Sequence, residues 1–229
     1  MKRTNLKMLM IVAVVVMIAL TAAQADNIVA ATAPPSNAWT FDWSQLGASN
    51  ATIPHVFNAQ GTDPTGDYVT GLFNGASSNK GVVKVQGTSF NGNFNPGDYL
   101  VYTSNHGPLT LGFLNGSYDF VGAYFQQFHT GSYTAKLTFY NGSDVLGSVT
   151  QSFTSSTQHP TGVVFLGGKD LSGSNITKVV FSETAGTGPA AFLIDKLYYF
   201  TPVPEPSTMV LLGTGLIGLA GLARRRMTK

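Results

Sequence analysis

Apolar and polar residues alternate on both sides of one Asn-Gly pair in the middle of this 229-residue chain. Before the pair, the apolar residues Tyr133, Ala135, Leu137 and Phe139 share a face, and the run after it holds Val145, Val149 and Phe153. Because successive side chains of a strand point to opposite sides, this spacing is typical of strands with one buried face. Asn141 and Gly142 both accept the positive φ angles of a tight turn, so the segment predicts a β-hairpin.

Short strand-like segments separated by turn residues extend over most of the chain. They cover residues 68–72, 81–86, 98–102, 109–113, 118–126, 162–166, 176–182 and 191–200, with further turn signals at Asn91-Gly92 and Asn115-Gly116. No stretch between Trp39 and Phe200 has the apolar spacing of a helix. The sequence therefore predicts an all-β domain over residues 39–201, an antiparallel two-sheet sandwich of jelly-roll-like type. The Pro-, Ala- and Ser-rich residues 26–38 predict a disordered lead-in.

The charge distribution and the absence of cysteine exclude several classes of partner and site. Residues 26–200 carry six lysines, no arginine and ten acidic residues. Nucleic-acid binding needs clustered Lys and Arg to neutralise phosphates, so we expect no nucleic-acid partner. A chain without cysteine has no disulfides, no thiolate metal sites and no cysteine nucleophile.

The first 25 residues have the three parts of a secretory signal peptide. The basic residues at the start are Lys2, Arg3 and Lys7. Residues 8–20 are apolar without a break, and Ala23 and Ala25 form an A-x-A cleavage site for signal peptidase. The apolar run is shorter than the ~20 residues that span a bilayer. We therefore expect cleavage; the alternative is a permanent N-terminal anchor.

The C-terminal end opens with a proline-rich break at residues 202–208 and continues into an apolar run. Residues 209–223 carry no charge, and Arg224, Arg225 and Arg226 follow directly. An apolar helix that ends in arginines stops in a membrane with the arginines on the cytoplasmic side. The sequence thus predicts a transmembrane helix at 209–223 and a basic cytoplasmic tail at 224–229. The alternative, a buried core helix, lacks a polar face to turn to water.

The order of segments at this end resembles a known family. It consists of Pro204, Glu205 and Pro206, then a Gly- and Leu-rich apolar segment, then an arginine cluster. All three parts are present in order, and together they resemble the PEP-CTERM sorting signal. The resemblance implies export in a Gram-negative bacterium and an intermediate anchored in the inner membrane. It further implies cleavage near the Pro-Glu-Pro motif by exosortase, a membrane-embedded cysteine protease-transpeptidase, and transfer to the cell surface or the extracellular matrix.

Oxygen-bearing side chains in the predicted loops suggest a structural Ca²⁺ ion as a cofactor, since hard cations take carboxylate, amide and carbonyl ligands. The candidate groups are Asp63 with Asp67, the set Asn93, Asn95 and Asp98, and the pair Asp42 and Asp195. Strict alternation places Asp195 on the face that also carries Leu193, Leu197 and Tyr199. If that face is inward, an ion or a hydrogen-bond network must satisfy the carboxylate. If it is outward, Asp195 is an ordinary surface residue.

Sugar binding is a second expectation for the body. Tyr124 and Phe128 belong to a short aromatic cluster that is interleaved with Gln126, Gln127 and His129. Carbohydrate-binding sandwiches stack pyranose rings on exposed aromatic side chains of this kind. The alternative is that these aromatic residues fill the core.

Three functions remain open. The first is a non-enzymatic protein of the cell surface or matrix, sorted through its tail and contributing to the envelope or biofilm. The second is a carbohydrate-binding module that retains exopolysaccharide. The third is a secreted polysaccharide hydrolase, which would need two placed carboxylates that no motif signals here. We expect no enzymatic activity.

Overall fold

The computed structural model describes residues 27–64, 66–104, 107–156, 162–185 and 191–201. The expected signal peptide with Ala23 and Ala25, the Pro-Glu-Pro motif, the apolar run 209–223 and the three arginines lie outside these ranges. Within them, no helix has the length and apolar character needed to span a bilayer.

The described residues form fourteen strands and one short 3₁₀ helix at Trp43–Leu46. In chain order the strands are β1 (Ile28–Ala31), β2 (Trp39–Phe41), β3 (Thr52–Ile53), β4 (Val56–Gln60), β5 (Tyr68–Phe73), β6 (Gly81–Val85), β7 (Tyr99–Tyr102), β8 (Leu109–Phe113), β9 (Phe120–Gln127), β10 (Gly131–Asn141), β11 (Asp144–Ser155), β12 (Val164–Asp170), β13 (Lys178–Ala185) and β14 (Phe192–Phe200).

Two antiparallel sheets pack face to face, which confirms the predicted all-β sandwich. In the described ranges the larger sheet has eight strands in the order β1-β12-β9-β14-β7-β6-β3, and β2 also pairs with β14. The smaller sheet has six strands in the order β11-β10-β13-β8-β5-β4. One apolar core lies between them, and both sheets contribute to it through residues such as Val121 and Ile194 on one side and Leu137 and Phe181 on the other.

The predicted hairpin is present as β10 and β11, and its inward face is the predicted one, from Tyr133 to Phe139. The turn lies one residue later than expected. Asn141 pairs with Asp144, so the loop residues are Gly142, at φ +59°, and Ser143. Asn115-Gly116, one of the two further turn signals, does not close a hairpin, because β8 and β9 belong to different sheets.

The start of the lead-in is ordered, contrary to prediction. Ile28–Ala31 forms β1, which pairs antiparallel with the end of β12, Ile28 opposite Asp170. Ile28 is buried in the core. A Cβ atom on Gly168 would come within 2.7 Å of the Ile28 side chain and within 2.6 Å of Phe139. The missing side chain at Gly168 therefore leaves room for the core contacts of this edge strand.

Candidate functional site

A β-bulge interrupts β14 in the middle of the larger sheet. Ile194 pairs with Phe125 and Leu197 pairs with Ala123, so two residues of β14 lie opposite the single residue Tyr124. Ile194 and Leu197 both point into the core, and Asp195 lies between them. A bulge of this kind changes the direction of side chains and raises the local twist.

Because of the bulge, the alternation predicted for Asp195 is wrong. Its side chain does not share a face with Leu197 and Tyr199, which are core residues. It lies on the outer side of the larger sheet, as does Leu193, which packs in a second apolar cluster there. The extra residue shifts the alternation by one position, and strict period-two counting cannot reveal such a shift.

The bulge also marks a change of neighbours along one edge of β14. The first half of β14 pairs with β7 at Leu193 and Ile194, and the second half pairs with β2 from Leu197 onwards. The buried indole of Trp43, directly after β2, donates its Nε1–H to the backbone carbonyl of Asp195 over 2.7 Å. Trp43 thus satisfies a buried backbone group at the point where the sheet pairing changes.

The connection between β6 and β7 folds over the outer face of the larger sheet. Its chain is held by side chains on either side: the Gln126 side chain of β9 accepts from the backbone N–H of Asn93 at 2.9 Å, and Gln86 exchanges hydrogen bonds with Gly92. Phe94, which belongs to this connection, is buried and is part of the second apolar cluster. The connection therefore forms a wall over the sheet.

A pocket of about 270 Å³ lies between this wall and the bulge. Its lining residues are Asn93, Phe94, Asn95, Asp98, Tyr124, Val163 and Asp195. The Oδ1 atom of Asp195 is buried and has no hydrogen-bond partner among the described residues. Asp98, by contrast, is engaged, since it accepts from Lys196 Nζ at 3.3 Å and from the backbone N–H of Asn95 at 3.0 Å.

Burial raises the pKa of Asp195 to about 6, and the charges of Asp98 and Asp42 act in the same direction. The backbone N–H and the ammonium group of Lys196 oppose this rise. At neutral pH the pocket therefore holds a carboxylate at its base that solvent does not stabilise.

Aromatic rings flank the pocket. The half-buried Tyr124 packs edge-on against Phe165 at 5.1 Å and against Tyr198 at 6.0 Å between ring centroids. Phe128, the second residue expected to bind sugar, does not line the pocket. Its ring stacks on Tyr102 at 4.5 Å in the neighbouring apolar cluster. Tyr124 therefore lines the pocket, and Phe128 helps to support its surroundings.

The residues expected to bind calcium separate into three environments. Asp42 caps the 3₁₀ helix, where its Oδ1 accepts from the backbone N–H of Ser44 at 2.7 Å. Asn93, Asn95 and Asp98 line the pocket together with Asp195. In the described part of the chain, no three His, Asp or Glu side chains gather in a way that could hold a metal ion.

Asp63 and Asp67 form the third environment, a buried network with two tyrosines. Tyr199 donates its hydroxyl to Asp63 Oδ1 at 2.7 Å, and Tyr118 donates its hydroxyl to Asp67 Oδ2. Burial and these carboxylates raise the pKa values of both tyrosines, so both remain hydrogen-bond donors. The network ties the β4–β5 connection to β14.

Comparisons with known proteins place the recognisable signal at the C-terminal end. Residues 202–226 match the family model of the PEP-CTERM protein-sorting motif. The match includes Pro204, Glu205, Pro206 and all three arginines. A motif of this kind supports an exported protein that is anchored in a membrane, sorted and processed by exosortase.

The body gives much weaker matches. A sequence comparison with curated proteins finds no match. Among solved structures, a glycoside hydrolase family 43 arabinoxylan arabinofuranohydrolase from Bacillus subtilis, crystallised with cellotetraose, matches 66% of this chain and 27% of its own, at 12% identity and a TM-score of 0.26. A likeness at this level supports no conclusion about the body.

Proposed function

We propose that this chain, which carries a PEP-CTERM protein-sorting motif, is a non-enzymatic protein of the bacterial cell surface or extracellular matrix. Its route begins with signal-peptide cleavage after Ala25 and continues through an inner-membrane intermediate held by residues 209–223. Exosortase of a Gram-negative host then cuts near Pro204-Glu205-Pro206 and releases the jelly-roll-like body to the envelope or biofilm. The match over residues 202–226 carries this proposal.

The pocket supports binding rather than turnover. Hydrolysis of a glycosidic bond by two carboxylates needs one to donate a proton and the other to act as a nucleophile or base. Asp195 has the raised pKa of a proton donor. Its neighbour Asp98 already accepts from Lys196 Nζ and from the Asn95 N–H, which leaves it less free to act as the nucleophile or base.

The sorting proposal is tested by the intact mass of the protein recovered from the surface fraction of its native cell. We expect the mass of a chain that begins at Asp26 and ends near Pro204-Glu205-Pro206. A double variant, Pro204→Ala with Glu205→Ala, should stay in the membrane fraction with its C-terminus intact. The variant Asp144→Ala, which changes an exposed residue of the body outside the matched motif, should be processed normally. A surface protein that still extends to Lys229 would refute processing.

A second function is favoured by the outer-face pocket: retention of exopolysaccharide by the body. A half-buried tyrosine beside polar side chains and an unsatisfied carboxylate offers a sugar both an apolar ring surface and a hydrogen-bond acceptor. The full chain applied to immobilised exopolysaccharide from its own organism should be retained, and soluble polysaccharide should release it. Absence of retention would remove this second function and leave the sorting proposal in place.

A further inference from the structure

We propose that the pocket between the β6–β7 connection and the β14 bulge binds one neutral sugar unit, whose hydroxyl donates to Asp195 Oδ1 and whose ring lies against Tyr124. This inference rests on the second proposed function, exopolysaccharide retention, and adds the site and the class of ligand.

The Asp195 carboxylate has an unsatisfied oxygen in this pocket. Asp195 is 3% exposed, lines the pocket, and has an Oδ1 atom without a hydrogen-bond partner in the described ranges. A buried acceptor without a partner costs free energy, more so when it is charged. A ligand that enters the pocket with a hydrogen-bond donor removes that cost.

The charges around the pocket favour a neutral ligand. An anionic ligand would meet the carboxylates of Asp98 and Asp195 at close range. A metal cation would meet the ammonium group of Lys196, which lies 3.3 Å from Asp98, and no group of three acidic or histidine side chains in the described residues could complete its coordination. A neutral ligand with several hydroxyl donors is compatible with both charges.

The shape of the pocket suits a sugar ring. The T-shaped contacts of Tyr124 with Phe165 and Tyr198, at 73° and 80°, fix the plane of its ring at the pocket. A fixed and partly exposed aromatic ring offers apolar surface to the C–H face of a pyranose. The pocket, at about 270 Å³, is slightly smaller than the roughly 300–1,000 Å³ of pockets for drug-sized ligands. It therefore suits one sugar unit of a longer chain.

The test measures binding of the full chain to its organism's exopolysaccharide and to neutral cello-, xylo- and manno-oligosaccharides. The variants Asp195→Asn and Tyr124→Ala should each weaken the interaction about tenfold or more, as expected when a charge-assisted hydrogen bond or a stacked ring is lost. Matched controls are Asp144→Asn and Tyr68→Ala, which change exposed residues of the smaller sheet and should bind like the unmodified chain.

The possible results distinguish failure of this pocket from failure of exopolysaccharide binding as a whole. Retention of exopolysaccharide that is equal in all variants would refute this pocket and leave exopolysaccharide binding in place. Absence of retention by the unmodified chain would refute both. Calcium binding that Asp195→Asn abolishes, without any sugar binding, would also overturn the proposal. Loss of sugar binding in the two pocket variants alone, with the controls unchanged, supports it.

Discussion

Replacing Asp67 by alanine should lower the free energy of unfolding by about 3 kcal/mol, because it removes at once the acceptor of one buried and two partly buried donors. Asp67 is 1% exposed. Its Oδ1 accepts from the backbone N–H groups of Tyr68 and Asn115 at 2.7 and 2.9 Å, and its Oδ2 accepts from the Tyr118 hydroxyl. Each donor left without a partner costs about 1–3 kcal/mol.

Urea unfolding of the full chain, followed by tryptophan fluorescence, measures this effect. Tyr118→Phe removes one donor and leaves Asp67 Oδ2 without it, so we expect a smaller loss of about 1–3 kcal/mol. The control Asp144→Ala, at an exposed hairpin position, should stay within about 0.5 kcal/mol of the unmodified chain. A loss below about 1 kcal/mol for Asp67→Ala would mean that water replaces the carboxylate and that the network is not closed.

The fold class was predictable because one face of most strands is fully buried. In β10, Tyr133, Leu137 and Phe139 are each at most 1% exposed, so period two appears directly in the sequence. The edge strand β1 was missed for a physical reason. Its Ala-rich sequence resembles a linker, and its pairing depends on Gly167 and Gly168 of the distant β12.

The pocket was predictable in its residue types but not in its assembly. Tyr124, Asp195 and the set Asn93, Asn95 and Asp98 were each singled out, but for different ligands. Two tertiary features bring them together. One is the anchoring of the β6–β7 connection by Gln126, which is 33 residues from Asn93 in sequence. The other is the bulge, which lies where β7 gives way to β2 along the edge of β14. Local patterns encode neither feature.

The variant Asp195→Asn should be more stable than the unmodified chain at pH 8, and the difference should vanish near pH 4. Burial raises the pKa of Asp195 from 3.8 to about 6. Between those values the folded state holds a proton that the unfolded state has lost, so stability falls as the pH rises through this range. The cost stays constant above about pH 6. A shift of about two units corresponds to at most about 3 kcal/mol, and asparagine carries no such charge.

Urea midpoints of both chains at pH 4, 6 and 8 measure the difference, in which the titration of Glu183, whose pKa is raised to about 7, cancels. A variant that is less stable at pH 8 would show that the carboxylate makes stabilising contacts inside the protein.

If Asp195→Asn is more stable than the unmodified chain, its weaker sugar binding cannot come from unfolding. Saturating oligosaccharide should then raise the midpoint of the unmodified chain more than that of the variant, since a ligand stabilises the state it binds. A buried carboxylate that lowers stability without ligand and raises it with ligand acts in binding, not in folding.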